Sequence, residues 1–281
     1  MSTISMADAE AILTDRNVIA VGARGDDERR RRHGTKTTFV RVFEVHGDAV
    51  PAAVPAGTAA GEVRLTGRPA SADAAVASVI AVRALARAIP LTAYSLADLL
   101  ALAGGSSATL TELARRLAAA GLGAIAEAPI DLLPDPVQTI RAVRSAGLDV
   151  PRLTVQQPAA DPLRHVALAR DVQAGAGGVR AFAPLPRVQS VAQPTTGYDD
   201  VRLVAVSRLM LDNIESIQVD WALYGPKLAQ VALTMGADDV DSVSPFDGDL
   251  GRRRSPLEEI RGNITAAGLE PIERDGTWQP R

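Results

Sequence analysis

The sequence of 281 residues contains no cysteine. This absence excludes disulfide bonds, thiolate nucleophiles and thiolate metal sites together. Lysine occurs only at Lys36 and Lys227, which leaves almost no candidate for Schiff-base chemistry, because that chemistry needs a desolvated lysine amine. The three histidines, His33, His46 and His165, lie far apart. A metal site would therefore have to be rich in carboxylates.

Aromatic residues make up only 3% of the chain, so the core must be built from Ala, Val, Leu and Ile. The formal net charge of −3 argues against a nucleic acid or an anionic membrane as a partner held by bulk charge. No run of about 18 apolar residues occurs, so no membrane span is predicted. The first residues are polar and acidic and do not resemble a signal peptide. We therefore predict a cytoplasmic protein.

Short β-branched segments alternate with apolar-striped helices along most of the chain, which predicts parallel strands joined by right-handed crossovers. No Gly-x-Gly-x-x-Gly turn follows any strand, so a barrel fits better than an open doubly wound sheet. The predicted fold class is α/β: a single (β/α) barrel of the TIM type, complete or partial. Its predicted division is an N-terminal helical extension, residues 1–36, and a barrel domain, residues 37–281.

Two charged runs are interpreted as surface features. The arginine run 29–32 closes a predicted helix, where cations favour the C-terminal dipole, so we expect it to be solvated. The acids within residues 247–255 lack the ligand spacing of an EF-hand, so we expect an exposed loop there.

The segment "SIQVDWALYGPKLAQVALTMGADDVD", residues 216–241, holds the most specific pattern in the chain. It predicts a strand, a helix with Pro226 in its first turn and Gly236 after its end, and a short strand. With "RLMLDN" before it and "PLEEIRGNITAAGLEPIERDGTW" after it, the segment resembles the C-terminal third of aminofutalosine synthase. It is similar also to dehypoxanthine futalosine cyclase and to the deazaflavin (F420 precursor) synthase subunit.

This resemblance implies a radical-SAM-type barrel and a role in futalosine-type menaquinone synthesis or in F420 synthesis. Members of the group carry a 4Fe–4S cluster and S-adenosylmethionine (SAM). They place Cys-x3-Cys-x2-Cys on the loop after the first strand, which here corresponds to the shorter, cysteine-free interval His46 to Gly61. The Gly-Gly pair after their second strand corresponds to Gly67-Arg68, and Glu127 stands at a glycine position. We therefore expect no cluster, no SAM and no other cofactor.

Candidate binding residues are those predicted at the C-terminal ends of the strands, where a barrel has its site. Arginine forks suit a carboxylate ligand, and Asp131 stands where the resembled group carries a glutamate. No metal site is predicted. Glu127 and Asp220 are the candidate catalytic residues, if the protein is an enzyme. The candidate ligand-binding residues are Arg64, Arg68, Tyr94, Asp131, Gln156, Arg180, Gln218 and Tyr224.

Three functions stay open at this point. The first is a pseudoenzyme without radical chemistry that binds a pathway intermediate, or that docks as an accessory subunit on an intact radical SAM paralogue. The second is a cofactor-free lyase or hydrolase that acts on a small carboxylic acid or nucleoside by acid–base catalysis. The third is a structural subunit whose barrel mouth is filled by its own side chains.

Overall fold

A computed structural model describes residues 4–188, 196–246 and 256–281. Among these residues, strands and helices alternate over most of the chain as the sequence predicts. The strands are β1 Lys36–His46, β2 Glu62–Thr66, β3 Leu91–Ser95, β4 Ala124–Pro129, β5 Arg152–Thr154, β6 Ala181–Ala183, β7 Ser216–Asp220, β8 Asp239–Val243 and β9 Glu270–Glu273. The helices are α1 Met6–Thr14, α2 Val18–His33, α3 Ala72–Ala86, α4 Leu96–Leu102, α5 Ser107–Ala119, α6 Pro136–Ser145, α7 Leu163–Ala176, α8 Gly197–Met210, α9 Trp221–Leu233 and α10 Pro256–Ala266.

Strands β1 to β8 form a closed parallel barrel, because each pairs with the next and β8 pairs with β1. The barrel is complete, which decides the alternative that the sequence left open. A ninth strand lies outside this ring. The N-terminal half of β1 pairs with β9, residues 36–39 with 270–273, whereas its C-terminal half pairs with β2, residues 42–46 with 62–66. Strand β9 therefore pairs with the first residues of β1, which β2 is too short to reach.

The first crossover, residues 47–61, forms turns and bends and contains no helix. Parallel strands need a connection of about a dozen residues or more, and this interval meets that need without a helix. Each of the next two strands, β2 and β3, is followed by at least one helix. The barrel thus keeps its ring of strands but lacks the first of its outer helices.

Local sequence signals explain where the helices begin and end. Asp135 accepts a hydrogen bond from the Gln138 backbone N–H at the start of α6, and Gly177, with a positive φ, ends α7. Helix α9 begins at Trp221, not at Gly225 as the sequence suggested, because the Asp220 carboxylate caps an extra turn that is kinked at Gly225. The acidic segment 247–255 lies outside the described residues.

The hydrophobic core lies mainly between the strands and the surrounding helices and consists of Leu, Val, Ile and Ala side chains with few aromatics. Helices α1 and α2 pack on α8. The expectation of a solvated arginine run is wrong for Arg29, which is fully buried. Arg32 is also drawn inward, since its guanidinium donates to the carbonyl oxygens of Leu211 and Ile214. The helix packs with its basic end against the body of the protein.

No helix in the described ranges is long and apolar enough to cross a membrane.

Candidate functional site

We call the end of the barrel at which the strands begin its lower end. A buried ion pair closes the barrel interior there. Arg274, just after β9, donates from Nε and Nη2 to the Asp239 carboxylate at 2.7 and 2.8 Å. Gln218 and Thr38 donate to the same carboxylate at 2.6 and 2.5 Å. Burial raises the pKa of Asp239, but Arg274 and the other donors outweigh it and lower the pKa overall. This end of the barrel is therefore plugged by fully satisfied side chains.

Four charged residues fill the middle of the barrel. Arg64 donates to Asp241 at 2.9 and 3.0 Å and to Glu62 at 2.8 Å. Arg152 contacts Asp241 and donates twice to the carbonyl oxygen of Ala126. All four charged side chains are at most 6% exposed. Because the two positive and two negative charges balance, this quartet is electrically neutral.

The pKa values of Glu62 and Arg152 are both lowered, which favours the charged form of Glu62 and disfavours that of Arg152. Burial raises the pKa of Glu62, but Arg64 and Arg152 lower it to about 2 overall. Burial lowers the pKa of Arg152, and the like charge of Arg64 lowers it further, to about 9. The charged form of Arg152 is therefore destabilised, because the side chain is buried next to the like charge of Arg64.

Above the quartet, Arg187 joins two carboxylates at the barrel mouth. Its guanidinium lies 2.5 Å from Glu127 and 3.1 Å from Asp220. Asp220 also accepts the backbone N–H of Leu223 as the cap of α9. Burial raises the pKa of Asp220, but Arg187 and the capping N–H outweigh it, so the pKa is lowered. Asp220 is thus held ionised, in a state that suits an ion pair better than a general acid.

A cavity of about 270 Å³ opens at the mouth, at the C-terminal ends of the strands. Tyr94 and Ser242, at this end of β3 and β8, both have positive φ, of 59° and 57°. Such backbone strain in non-glycine residues tends to cluster at functional sites. The charged residues that line the cavity are Glu44, Arg64, Arg68, Asp98, Glu127, Arg152 and Arg187.

The structure brings four predicted site residues together at this cavity: Arg64, Arg68, Tyr94 and Glu127. Arg68 is 70% exposed and lies 3.5 Å from Asp98, so it is the most accessible cation of the wall. The Tyr94 hydroxyl donates to the carbonyl oxygen of Ala75 and so has a partner within the protein. Asp220 does not line the cavity, but it contacts Arg187, which does.

The other predicted residues do not line the cavity. Asp131 accepts the backbone N–H groups of Gln156 and Gln157 and so ties two loops together. Gln218 lies in the lower plug, bonded to Asp239. Arg180 is at the opposite end of the barrel, because it precedes β6 instead of following it, and it pairs there with Glu215.

Tyr224 has a supporting place in the site. Its hydroxyl donates to the carbonyl oxygen of Pro186, next to Arg187 in the sequence. Burial raises the pKa of Tyr224, and the negative charge of Asp200 adds to that rise. The tyrosine therefore stays a neutral donor that fixes the loop carrying Arg187.

Four charged wall residues escaped the sequence prediction: Glu44, Arg152, Arg187 and Asp98. Strand alternation offers a signal for the first two. Side chains two apart share a face, so Arg152 in the short strand "RLT" faces the same side as Thr154. Arg187 lies in the loop after β6, and in a loop no periodicity predicts the direction of a side chain.

The donors around the mouth do not fit a cysteine-ligated iron–sulfur cluster. Such a cluster is held by cysteine thiolates, and the chain has no cysteine. Within the three described ranges, no group of three His, Cys, Asp or Glu side chains is placed to hold a metal ion. His46, at the end of β1, packs against Gly67. We therefore derive no reaction step through a cluster.

Comparison with solved structures defines the class of fold. Methylornithine synthase matches with a TM-score of 0.65 at 13% identity, over 96% of this chain and 94% of that one. The hydrogenase maturase HydG from Carboxydothermus hydrogenoformans also matches with a TM-score of 0.65, at 12% identity, over 96% of this chain and 76% of that one. The protein therefore has the TIM-barrel fold of these two enzymes.

Sequence comparison narrows this class. Residues 181–281 match the family model described as the CofH/MqnC C-terminal region. Cyclic dehypoxanthine futalosine synthase of Streptomyces coelicolor is 29% identical over 62% of this chain and 50% of its own length. Aminodeoxyfutalosine synthase of the same organism is 31% identical over 41% of this chain and 35% of its own length.

A third relative is a transferase whose name includes L-tyrosine. The 5-amino-6-(D-ribitylamino)uracil–L-tyrosine 4-hydroxyphenyl transferase of Archaeoglobus fulgidus is 27% identical over 69% of this chain and 66% of its own length. The chain thus resembles these three enzymes over part of its length, and it contains no cysteine. The matches span about half the length of these curated relatives, from 35% to 66%.

Proposed function

We propose that this protein is a non-radical relative of the futalosine-pathway enzymes that has lost the iron–sulfur cluster and binds a small polar metabolite at its barrel mouth. One observation carries this proposal. The barrel interior below the mouth is filled by the neutral Glu62–Arg64–Arg152–Asp241 quartet, whereas about 270 Å³ above it stays open and is lined by charges of both signs. In this proposal the protein serves menaquinone synthesis in the cytoplasm as a ligand-binding or accessory subunit.

The size of the cavity restricts the ligand. Pockets for drug-sized molecules measure about 300–1,000 Å³, so about 270 Å³ suits a single-ring acid or amino acid better than a complete nucleoside. The accessible guanidinium of Arg68 is suited to a ligand carboxylate, and Glu44 is suited to a hydrogen-bond donor on the same ligand. L-Tyrosine, which forms part of the name of the Archaeoglobus fulgidus transferase, and chorismate-derived acids are therefore the first ligands to test.

The ion pairs at the mouth favour binding over acid–base catalysis. Arg187 contacts both candidate catalytic carboxylates, Glu127 and Asp220. A general base must be free to take a proton, and here both carboxylates are engaged with the same cation.

Thermal denaturation with added ligands tests the proposal. Chorismate-derived acids, L-tyrosine, futalosine-type nucleosides and SAM are each added to the purified protein. We expect an acid or L-tyrosine to raise the melting temperature and SAM to leave it unchanged. The Arg68→Gln variant should abolish the rise, whereas Arg115→Gln, an exposed arginine of α5 paired with Glu112, should retain it.

A second experiment addresses the cluster directly. The protein is incubated anaerobically with iron and sulfide, and its bound iron and its formation of 5′-deoxyadenosine from SAM are measured. Stoichiometric iron together with 5′-deoxyadenosine would contradict the proposal. Co-purification with a cysteine-bearing paralogue tests the accessory role, and that role fails if the two proteins elute separately under conditions that keep each folded.

A further inference from the structure

A second cavity, of about 380 Å³, lies at the opposite end of the barrel from the mouth. We call it the basal cavity and define it by Arg83, Arg144, Arg180 and Trp278. Its walls come from the segments that precede β3, β4, β5 and β6 and from the turn after β9. The basal face of a TIM barrel ordinarily serves stability, so a built polar cavity here calls for its own explanation.

The positive charge of the basal cavity is not balanced by its own walls. Asp149 is the carboxylate among the lining residues, against three guanidinium groups. Arg180 pairs with Glu215 at 3.0 Å. Within the described part of the chain, neither Arg83 nor Arg144 forms a salt bridge. This excess of cations stands against a chain whose overall formal charge is −3.

Both unpaired guanidiniums are held in place by the backbone. Arg83 donates from Nη2 to the carbonyl oxygen of Ile89 at 2.8 Å, and Arg144 donates from Nη1 to that of Ala176 at 2.8 Å. Because a guanidinium has five N–H donors, these bonds leave donors of each arginine for a ligand. The side chains are fixed while much of their binding capacity is unused.

Two glycines make room for these arginines. A Cβ atom at Gly121 would come within 2.8 Å of Arg83 Cγ, and one at Gly178 within 2.4 Å of Arg144 Cζ. Both glycines also have positive φ, of 94° and 77°. Each arginine side chain therefore passes close to a glycine backbone at the edge of the cavity, an approach that a larger residue would prevent.

Trp278 supplies an aromatic wall. Its φ is 66°, a costly conformation for a non-glycine residue. The Asp275 carboxylate stabilises the turn by accepting the backbone N–H groups of Thr277 and Gln279. The Arg274 guanidinium carbon lies 3.7 Å from the centre of the indole ring. The turn thus presents a tryptophan that is already ordered.

We propose that the basal cavity is a second small-molecule site that binds a planar aromatic acid. The ligand carboxylate is held by the forks of Arg83 and Arg144, whose geometry matches a carboxylate. The ring of the ligand packs against Trp278, since aromatic rings favour stacked or edge-to-face contact. This site is separate from the mouth cavity, so it stands or falls independently of the function proposed above.

Tryptophan fluorescence tests the proposal, because the chain has only two tryptophans. In the Trp221→Phe variant the emission reports on Trp278 alone. The probes are isophthalate, benzoate and inorganic phosphate. We expect isophthalate to change the emission with a Kd of about 1 mM or lower. Arg83→Gln and Arg144→Gln should each weaken binding by about tenfold or more, whereas Arg115→Gln should not change it.

Three results would overturn the proposal. These are an emission unchanged up to about 10 mM isophthalate, equal binding by the arginine variants and the control, or equal displacement of isophthalate by inorganic phosphate. Arg83 also donates to the carbonyl oxygen of Arg87, the residue that caps the end of α3, so thermal midpoints are measured in parallel. If Arg83→Gln fails to fold, Arg144→Lys keeps the charge, removes the fork, and should still weaken isophthalate binding.

Discussion

The lower plug of the barrel predicts a large energetic coupling between Arg274 and Asp239. Both side chains are almost fully buried, at 3% and 0% exposure, and are joined by two charge-assisted hydrogen bonds. Removing one partner of a buried ion pair costs about 3–5 kcal/mol, because the remaining charge is left without a partner. We therefore expect Arg274→Met to lower the free energy of unfolding by about 4 kcal/mol.

The double variant Arg274→Met/Asp239→Asn separates the lost pair from the lost packing. It removes both charges, so no unpaired charge remains. The asparagine Oδ1 can still accept from Thr38, while its NH2 group takes the place of the Oδ2 atom that accepts from Gln218, so the Gln218 amide turns to present its oxygen. We expect it to recover about 2 kcal/mol or more relative to the sum of the single variants. Urea denaturation at neutral pH measures each free energy of unfolding.

An exposed arginine serves as the matched control for this cycle. Arg281 lies 3.4 Å from Glu273 and is 40% exposed, so Arg281→Met should cost less than about 1 kcal/mol. Single variants that lose less than about 1 kcal/mol, or a strictly additive double variant, would refute the reasoning. Either result would mean that Asp239 finds water or another donor when Arg274 is absent.

Three further predictions concern the quartet, the mouth and a helix cap. Because the folded pKa of Glu62 is about 2 instead of 4.5, its contribution is present above pH 4.5 and is lost as pH falls toward 2. It amounts to about 3 kcal/mol, and acid titrations of urea midpoints should be flatter for Glu62→Gln. Gly67→Ala should destabilise the protein by about 1–3 kcal/mol, because φ is 93° and the new Cβ would lie 2.8 Å from the His46 ring. Adding His46→Ala should relieve the steric clash but not the backbone strain. A calorimetric midpoint of Gly67→Ala equal to that of the parent would contradict the prediction. Asp135→Ala should cost about 1 kcal/mol through loss of the α6 cap, and an unchanged urea midpoint would show that Gln138 N–H finds another acceptor.

Much of the barrel could be predicted from the sequence, because most strands are short apolar segments and helices such as α5 and α6 carry an apolar stripe. Closure of the ring could not be predicted. It depends on β8, which pairs with the first strand, and no local pattern specifies a partner about two hundred residues away.

The candidate site was predicted unevenly for a related reason. Arg64 and Glu127 lie in strands whose ends can be recognised in the sequence, so their places at the barrel mouth could be predicted from the order of strands and helices. Arg180 was assigned to the wrong end of the barrel. Strand β6 begins only at Ala181, with two residues between Gly178 and the strand, so Arg180 precedes the strand instead of following it. Asp131 and Gln156, both predicted to bind a ligand, contact each other through the backbone N–H of Gln156, and a sequence pattern does not distinguish backbone from side-chain partners.

The pairing of β9 with β1 has a consequence for synthesis on the ribosome. One flank of β1, including residues 36–39, waits for a partner until residues 270–273 have been made. During that interval the nascent chain exposes an unpaired strand edge, which is a template for pairing with other chains. We expect that ribosome-bound intermediates of this protein need protection by chaperones, and that slow synthesis of the last helix and strand increases aggregation.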